Sequence, residues 1–333
     1  MRDKILEVKN LIYSYEEGKK VLKDISVTIY SHEKIAVLGG NGAGKSTFFL
    51  NINGVREPCS GEISYRGEMI LRKNRKLLRK NIGIVFQDAD NQIIASSVKA
   101  EVAFGPMNMK ISREEVERKT MEVIKEMNLE HLIMRPPHYL SGGEKKRVTI
   151  ADILAMDTEV IIFDEPTSSL DPVNVHMLEQ TLDKIEKLGK TILISTHDVD
   201  FAYRFAQRIL VFSEGELIAD DIPENVFRDE ELLKKANLKK PIILEVYELL
   251  LEKGIIGLHA GNTLFQGDLK SSDRIRVVDD VRNSDHTRDL DDTRKIDNAR
   301  KLDDSRDINH NRATDNARND RYPKNLKELG DLL

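Results

Sequence analysis

The run Gly39-Gly40-Asn41-Gly42-Ala43-Gly44-Lys45-Ser46-Thr47 has the spacing of a phosphate-binding loop, four residues separating one glycine from the Gly-Lys-Ser that follows. Glycines let successive main-chain N–H groups turn inward around phosphate oxygens, where side chains would obstruct approach. Lys45 can place a point charge on the β/γ-phosphates, and the Ser46 hydroxyl can complete a Mg2+ shell. Farther on, Val160-Ile161-Ile162-Phe163 ends in Asp164-Glu165. Asp164 can hold Mg2+ through water, and Glu165 is free to orient or deprotonate an attacking water. Paired carboxylates after a strand carry little alone, because helix starts favour them too; beside a phosphate loop they point to hydrolysis of a phosphoanhydride.

Three further groups are ambiguous singly. His197, in Ile194-Ser195-Thr196-His197-Asp198, follows an apolar run and can reach a γ-phosphate, although a lone histidine is more often structural. Gln87 follows another such run and can sense Mg2+ and water as a neutral donor and acceptor, or be an ordinary loop glutamine. Leu140-Ser141-Gly142-Gly143-Glu144 precedes a helical run from Lys145 to Leu154. There Ser141 is a natural N-cap and the glycines bare N–H groups toward another anion.

These residues need a frame that brings them to one edge. Ile35-Ala36-Val37-Leu38, Ile82-Gly83-Ile84-Val85-Phe86, Val160 to Phe163 and Thr191-Ile192-Leu193-Ile194 are short and nearly all apolar. Such runs suit strands buried on both faces of a parallel sheet. The loop at Gly39 follows one of them and precedes Phe48-Phe49-Leu50, a helix candidate, so a helix start faces the same anion. Arg113 to Met127 reads as an amphipathic helix, and Ile5 to Ile29 as shorter alternating pieces of an antiparallel sheet. The predicted fold class is α/β: a parallel core sheet, an antiparallel β subdomain and an α-helical insertion.

Composition narrows the classes. The chain has 333 residues, with Lys+Arg 52 against Asp+Glu 57 and a formal net charge of −5, which argues for no nucleic-acid partner. One cysteine, Cys59, excludes an intramolecular disulfide. No apolar run approaches the roughly 18 residues of a membrane span, and Met1-Arg2-Asp3-Lys4 leads into no secretory h-region.

Taken together, the motifs resemble the nucleotide-binding subunit of ABC transporters, over roughly residues 3 to 220. Gln87 matches the Q-loop glutamine, Leu140 to Glu144 the signature, and Asp164 with Glu165 the Walker B pair. Asp171, in Ser169-Leu170-Asp171, matches the D-loop, and His197 the switch histidine. Tyr15 matches the aromatic that stacks on adenine, or else is a sheet-packing tyrosine. The resemblance implies ATP and Mg2+ as cofactors and hydrolysis within a head-to-tail dimer. Each ATP lies between the phosphate loop of one subunit and Ser141, Gly142 and Gly143 of the other. It further implies a peripheral protein on the cytoplasmic face of the cell membrane. Phe86-Gln87-Asp88-Ala89-Asp90-Asn91-Gln92, and the segment from Lys235 through Gly254-Ile255, are similar to energy-coupling-factor ATPases of the CbiO type. Those drive uptake of cobalt, nickel or a vitamin, with a transmembrane scaffold subunit and a substrate-binding membrane subunit as partners. The alternatives are the ATPase of another ABC importer or exporter, or a soluble ABC ATPase whose tail binds a partner.

Three regions are expected: a nucleotide-binding domain at 1–220, a helical C-terminal extension at 221–257 and a charged tail at 258–333. From Glu214 the pattern reads as mostly helical, with helices over Asp229 to Ala236 and Ile242 to Lys253, the second started by Pro241. In the tail, arginine recurs every six residues from Arg276 to Arg318. Burying one aliphatic per hexad returns about 1.5–3 kcal/mol, whereas ordering six backbones costs roughly 6–12 kcal/mol. A stacked β-solenoid is conceivable, but a disordered tail is the expectation.

Overall fold

The computed structural model describes residues 3–16, 18–168, 170–255 and 323–330. The chain opens with β1 (Lys4–Ser14) and β2 (Lys20–Tyr30), two long strands paired antiparallel. It then enters β3 (Lys34–Leu38), the phosphate loop and α1 (Lys45–Ile52). Next, β4 (Ser60–Tyr65) and β5 (Glu68–Met69) return to complete a four-stranded antiparallel sheet in the order β2-β1-β4-β5. A short helix, α2 (Lys76–Asn81), leads into β6 (Ile82–Val85). The helical insertion follows, comprising α3 (Val98–Asn108), α4 (Arg113–Glu126) and α5 (Gly142–Ala155). Then come β7 (Val160–Asp164), α6 (Pro172–Lys187), β8 (Thr191–Ser195), α7 (Val199–Phe205), β9 (Arg208–Ser213) and β10 (Glu216–Asp221).

The second sheet runs β10-β9-β3-β8-β7-β6, parallel except for the β9–β10 hairpin. Its inner strands β3, β7 and β8 are nearly all apolar because consecutive side chains enter different cores. Ile35, Val37, Val160, Ile162, Leu193 and Phe212 pack with Phe48 and Phe49 of α1 toward the antiparallel sheet. From the other face, Ile161, Phe163, Ile192 and Ile194 pack under the helical insertion. Each fully buried side chain of this size contributes roughly 1.5–3 kcal/mol. Parallel register aligns the carboxyl ends of β3, β6, β7 and β8, the edge where α/β folds gather ligands.

Beyond the sheet come α8 (Pro223–Arg228), α9 (Glu230–Ala236), α10 (Ile242–Glu252) and α11 (Leu326–Gly330). One expectation is corrected here. The stretch from Glu214 is not helical at its start. Glu214 (φ 50°) and Gly215 (φ 82°) form a hairpin turn, and β10 takes its ladder from β9, with Arg208 holding Asp220 at 2.5 and 2.7 Å. Pro241 starts α10 as expected, standing as its N-cap, and the N–H of Ile242 is satisfied by Asp200 Oδ1 at 2.7 Å. The hexad repeat lies outside the described residues. Within the stretch expected to be a disordered tail, residues 323–330 are described and ordered: Leu329 of α11 is 4% exposed among Val226, Phe227 and Leu244, and Lys324 pairs with Glu224 at 2.5 Å. One leucine and one ion pair supply anchoring that a pattern search across charged repeats does not register.

Candidate active site

The phosphate loop is shaped by contacts that only glycine permits. At Gly39 (φ 144°) a Cβ would lie 2.2 Å from the carbonyl oxygen of Phe212. Gly44 caps α1 at φ 105°, leaving the first N–H groups of that helix pointed at the loop. Lys45 is buried and curls back, its Nζ donating to the carbonyls of Gly39 at 2.8 Å and Gly40 at 3.2 Å. Burial draws its pKa below the usual lysine range, against the opposing pull of Glu165 and then Asp164. Ser46 is exposed on the first turn, whereas Thr47 is buried and its hydroxyl lies 3.2 Å from that of Tyr15. The Tyr15 ring is half exposed, edge-on to Tyr13 and 5.3 Å from the Arg56 guanidinium. It thus stands beside the loop rather than inside the sheet packing.

Opposite the loop stand the carboxylates at the end of β7. Asp164 Oδ1 accepts the Ser195 hydroxyl at 2.5 Å, and the same hydroxyl accepts the N–H of Glu165 at 2.9 Å. Ser195 therefore fixes both residues from the neighbouring strand, including Glu165 in a left-handed conformation (φ 46°) that a non-glycine residue adopts at some cost. Glu165 Oε2 lies 2.8 Å from His197 Nδ1, while its Oε1 is 4.0 Å from Lys45 Nζ. A carboxylate can only accept, so Nδ1 carries the proton and Nε2 is left for another partner.

A cavity of about 520 Å³ is bounded by Gly39, Gly40, Asn41, Gln87, Glu165 and His197. Six of the residues singled out in the sequence therefore face one space. The loop Asn237-Leu238-Lys239, between α9 and α10, forms part of its wall. Sequence reading missed that loop and the bridging role of Ser195. The only signal for Ser195 is its place as the last strand residue, two before His197.

The signature residues lie elsewhere. Ser141 accepts the N–H of Glu144 at 3.3 Å and Glu144 Oε2 accepts the N–H of Ser141 at 2.8 Å, a reciprocal cap starting α5 at Gly142. The Ser141 main-chain bond holds the Glu144 carboxyl below its usual range. Gly142 has open space around it, whereas a Cβ on Gly143 would lie 2.0 Å from Asn174 Oδ1. Asp171 caps α6, accepting the N–H of Asn174 at 2.8 Å. None of residues 141–144, nor Asp171, borders the cavity of their own chain. Metal ligands are sparse: no group of three His, Cys, Asp or Glu is poised for an ion among the described residues. Ser46, Gln87 and Asp164 offer hard oxygen donors with one carboxylate, which fits Mg2+ arriving with a phosphate and most of its water rather than an ion caged by protein.

Comparison with known proteins agrees with this geometry. A family model described as ABC transporter matches residues 22–168. The energy-coupling factor transporter ATP-binding protein EcfA of Methanococcus maripaludis is 43% identical over 262 residues, covering 78% of this chain and 94% of that one. Among solved structures, CbiO1 of Clostridium perfringens, part of the CbiONQ transporter complex, aligns with a TM-score of 0.64 at 43% identity over 74% of this chain and 99% of that one. A second, an ATP-binding cassette captured as a dimer after hydrolysis with ADP and Pi, gives 0.59 at 30% identity over 66% and 99%. A phosphate loop that shares one cavity with a carboxylate and a histidine, and relatives of this closeness, lead to one conclusion: the chain belongs to the ATP-binding proteins of ABC transporters, among the ATPases of the energy-coupling-factor type.

Proposed function

We propose that this chain hydrolyses MgATP between two protomers on the cytoplasmic face of a membrane and passes the closing motion to a transmembrane scaffold that works with a substrate-binding membrane subunit. The observation that carries the reading is the split of the machinery. Gly39 to Thr47, Gln87, Glu165 and His197 gather at or beside one cavity, while the N–H-rich start of α5 takes no part in its lining. A phosphate loop alone leaves the γ-phosphate open on one side, and the start of α5 from a second ATPase subunit, identical or similar, is shaped to cover it. Closure excludes bulk water and brings the partner's contacts to the reacting group.

Within the cavity, Lys45 and the loop N–H groups hold the β- and γ-phosphates, and Tyr15 supports the base. Glu165 orients and deprotonates the attacking water, and His197 Nε2 faces the γ-phosphate while its Nδ1 proton keeps Glu165 in place. Gln87 senses the γ-phosphate end. Ser46, Gln87 and Asp164 would hold Mg2+, which would supply neutralisation of the charge developing on the phosphates. Asp171 faces the partner. Phe104 and Met107, three residues apart on α3, and Ile94, in the stretch that follows the Gln87 segment, are exposed apolar side chains of the kind that suits docking of scaffold helices. No helix among the described residues is long and apolar enough to cross a membrane, which fits a peripheral subunit. The cargo is selected by the membrane partners.

Glu165→Gln tests the assignment. ATP binding should persist, while phosphate release slows roughly 100-fold or more, the loss of a positioned base, and dimers should accumulate with ATP bound. Turnover at the parental rate removes Glu165 from the chemistry.

A further inference from the structure

The helix that begins at Gly142 also grips the segment carrying Gln87. Lys146, one turn beyond Gly142, is only 5% exposed. Its Nζ donates to the carbonyl oxygens of Phe86 at 2.9 Å and Gln87 at 2.8 Å. A buried ammonium requires such acceptors, and two consecutive carbonyls held by one cation fix the peptide plane between them. Its neighbour Lys145 pairs with Asp90 at 2.6 Å. The segment itself is tightly closed. The N–H of Phe86 donates to Gln92 Oε1 at 3.0 Å and Gln92 Nε2 to the Ile84 carbonyl at 3.3 Å. Asp88 accepts the N–H of Asp90 at 2.9 Å and Asn91 Nδ2 at 3.0 Å. Residues 86–92 therefore form a compact knot attached to α5 chiefly through two lysines.

We propose that Lys146 is a positioning residue for ATP hydrolysis: it couples the main chain at Gln87 to the helix that starts with Gly142 and Gly143, so that the seat of this helix sets where the Gln87 side chain enters the nucleotide cavity. The coupling links the two halves of the split machinery. A shift of α5 against one nucleotide moves Gln87 over the other nucleotide, the one held by the same chain's phosphate loop. It rests on the roles given above to Gln87 and to residues 141–144.

The test is ATP turnover by the full chain in Lys146→Met and Lys146→Arg, with Glu165→Gln measured alongside. Lys146→Met keeps the aliphatic stem and removes the donor; kcat should fall at least ~10-fold while KM for ATP stays within about twofold, the signature of lost positioning rather than lost binding. The arginine fork can reach both carbonyls, so Lys146→Arg should return kcat to within about threefold of the parent. Parental kcat in Lys146→Met, a rise of KM in step with the loss, an arginine variant no better than methionine, or a methionine variant that does not fold each overturns the proposal. Slow Glu165→Gln with unaffected Lys146→Met rejects the coupling alone, whereas parental turnover in Glu165→Gln rejects the site reading beneath it.

Discussion

At the scale of single residues, adjacent glycines in this protein answer to different constraints. Gly143 is required by the fold of its own chain, because Asn174 occupies the space a Cβ would need and is itself held by Asp171 through Nδ2 at 2.8 Å. Gly142 meets nothing within 4 Å. Gly143→Ala should therefore cost about 1–3 kcal/mol, as overpacking usually does, visible as a lowered denaturation midpoint. Gly142→Ala should unfold like the parent yet hydrolyse ATP at least ~10-fold more slowly, because in the proposed two-protomer site its open face is the one offered to the partner's phosphates. A Gly142→Ala chain with parental stability and parental turnover would remove the trans role from this position. The two measurements, unfolding and phosphate release, separate structural from catalytic glycine.

At the scale of elements, α3 and α5 meet through acid. Glu101 on α3 is buried and accepts the N–H groups of Ile94 at 3.0 Å and Ala95 at 2.6 Å, tying off the far end of the segment that carries Gln87. Asp152 on α5 faces it, and burial first, then Glu101, pushes its carboxyl up to about 7. In the unfolded chain the same group titrates near 4. Between those values the folded protein binds a proton that the unfolded chain does not, so stability falls as pH rises from about 4 to 7. The full swing is on the order of 2–4 kcal/mol. Asp152→Asn removes the titrating group while keeping its size. Urea unfolding at pH 5 and pH 8 should show a clear loss of stability for the parent and a much smaller one for the variant. Parallel losses in both would mean that Asp152 does not govern the packing of α3 on α5.

At the scale of the whole molecule, the proposed function makes the site half of something. Its cavity lacks every residue from 141 to 144, so turnover per chain should drop by ~10-fold or more as the protein is diluted below its dimerisation range, since a protomer alone cannot cover the γ-phosphate. Turnover independent of concentration would contradict the two-protomer reading. What the sequence alone determined was whatever is written in contiguous strings: the loop from Gly39 to Thr47, the carboxylates ending β7, the capped start of α5, and the buried strands whose all-apolar runs follow from having two covered faces. Tertiary structure alone decided the rest. Strand β10 exists because β9 offers a ladder, α11 is anchored by the buried side chain of Leu329 and the Lys324–Glu224 pair, and Ser195 bridges Asp164 and Glu165 from an adjacent strand. Lys146 reaches Gln87 across 59 positions of chain. The physical reason is common to the last three: each depends on a partner distant in sequence, whereas β10 finds its ladder in the strand just before it, and local residue patterns record the periodicity of an element but not the neighbour it finds on folding.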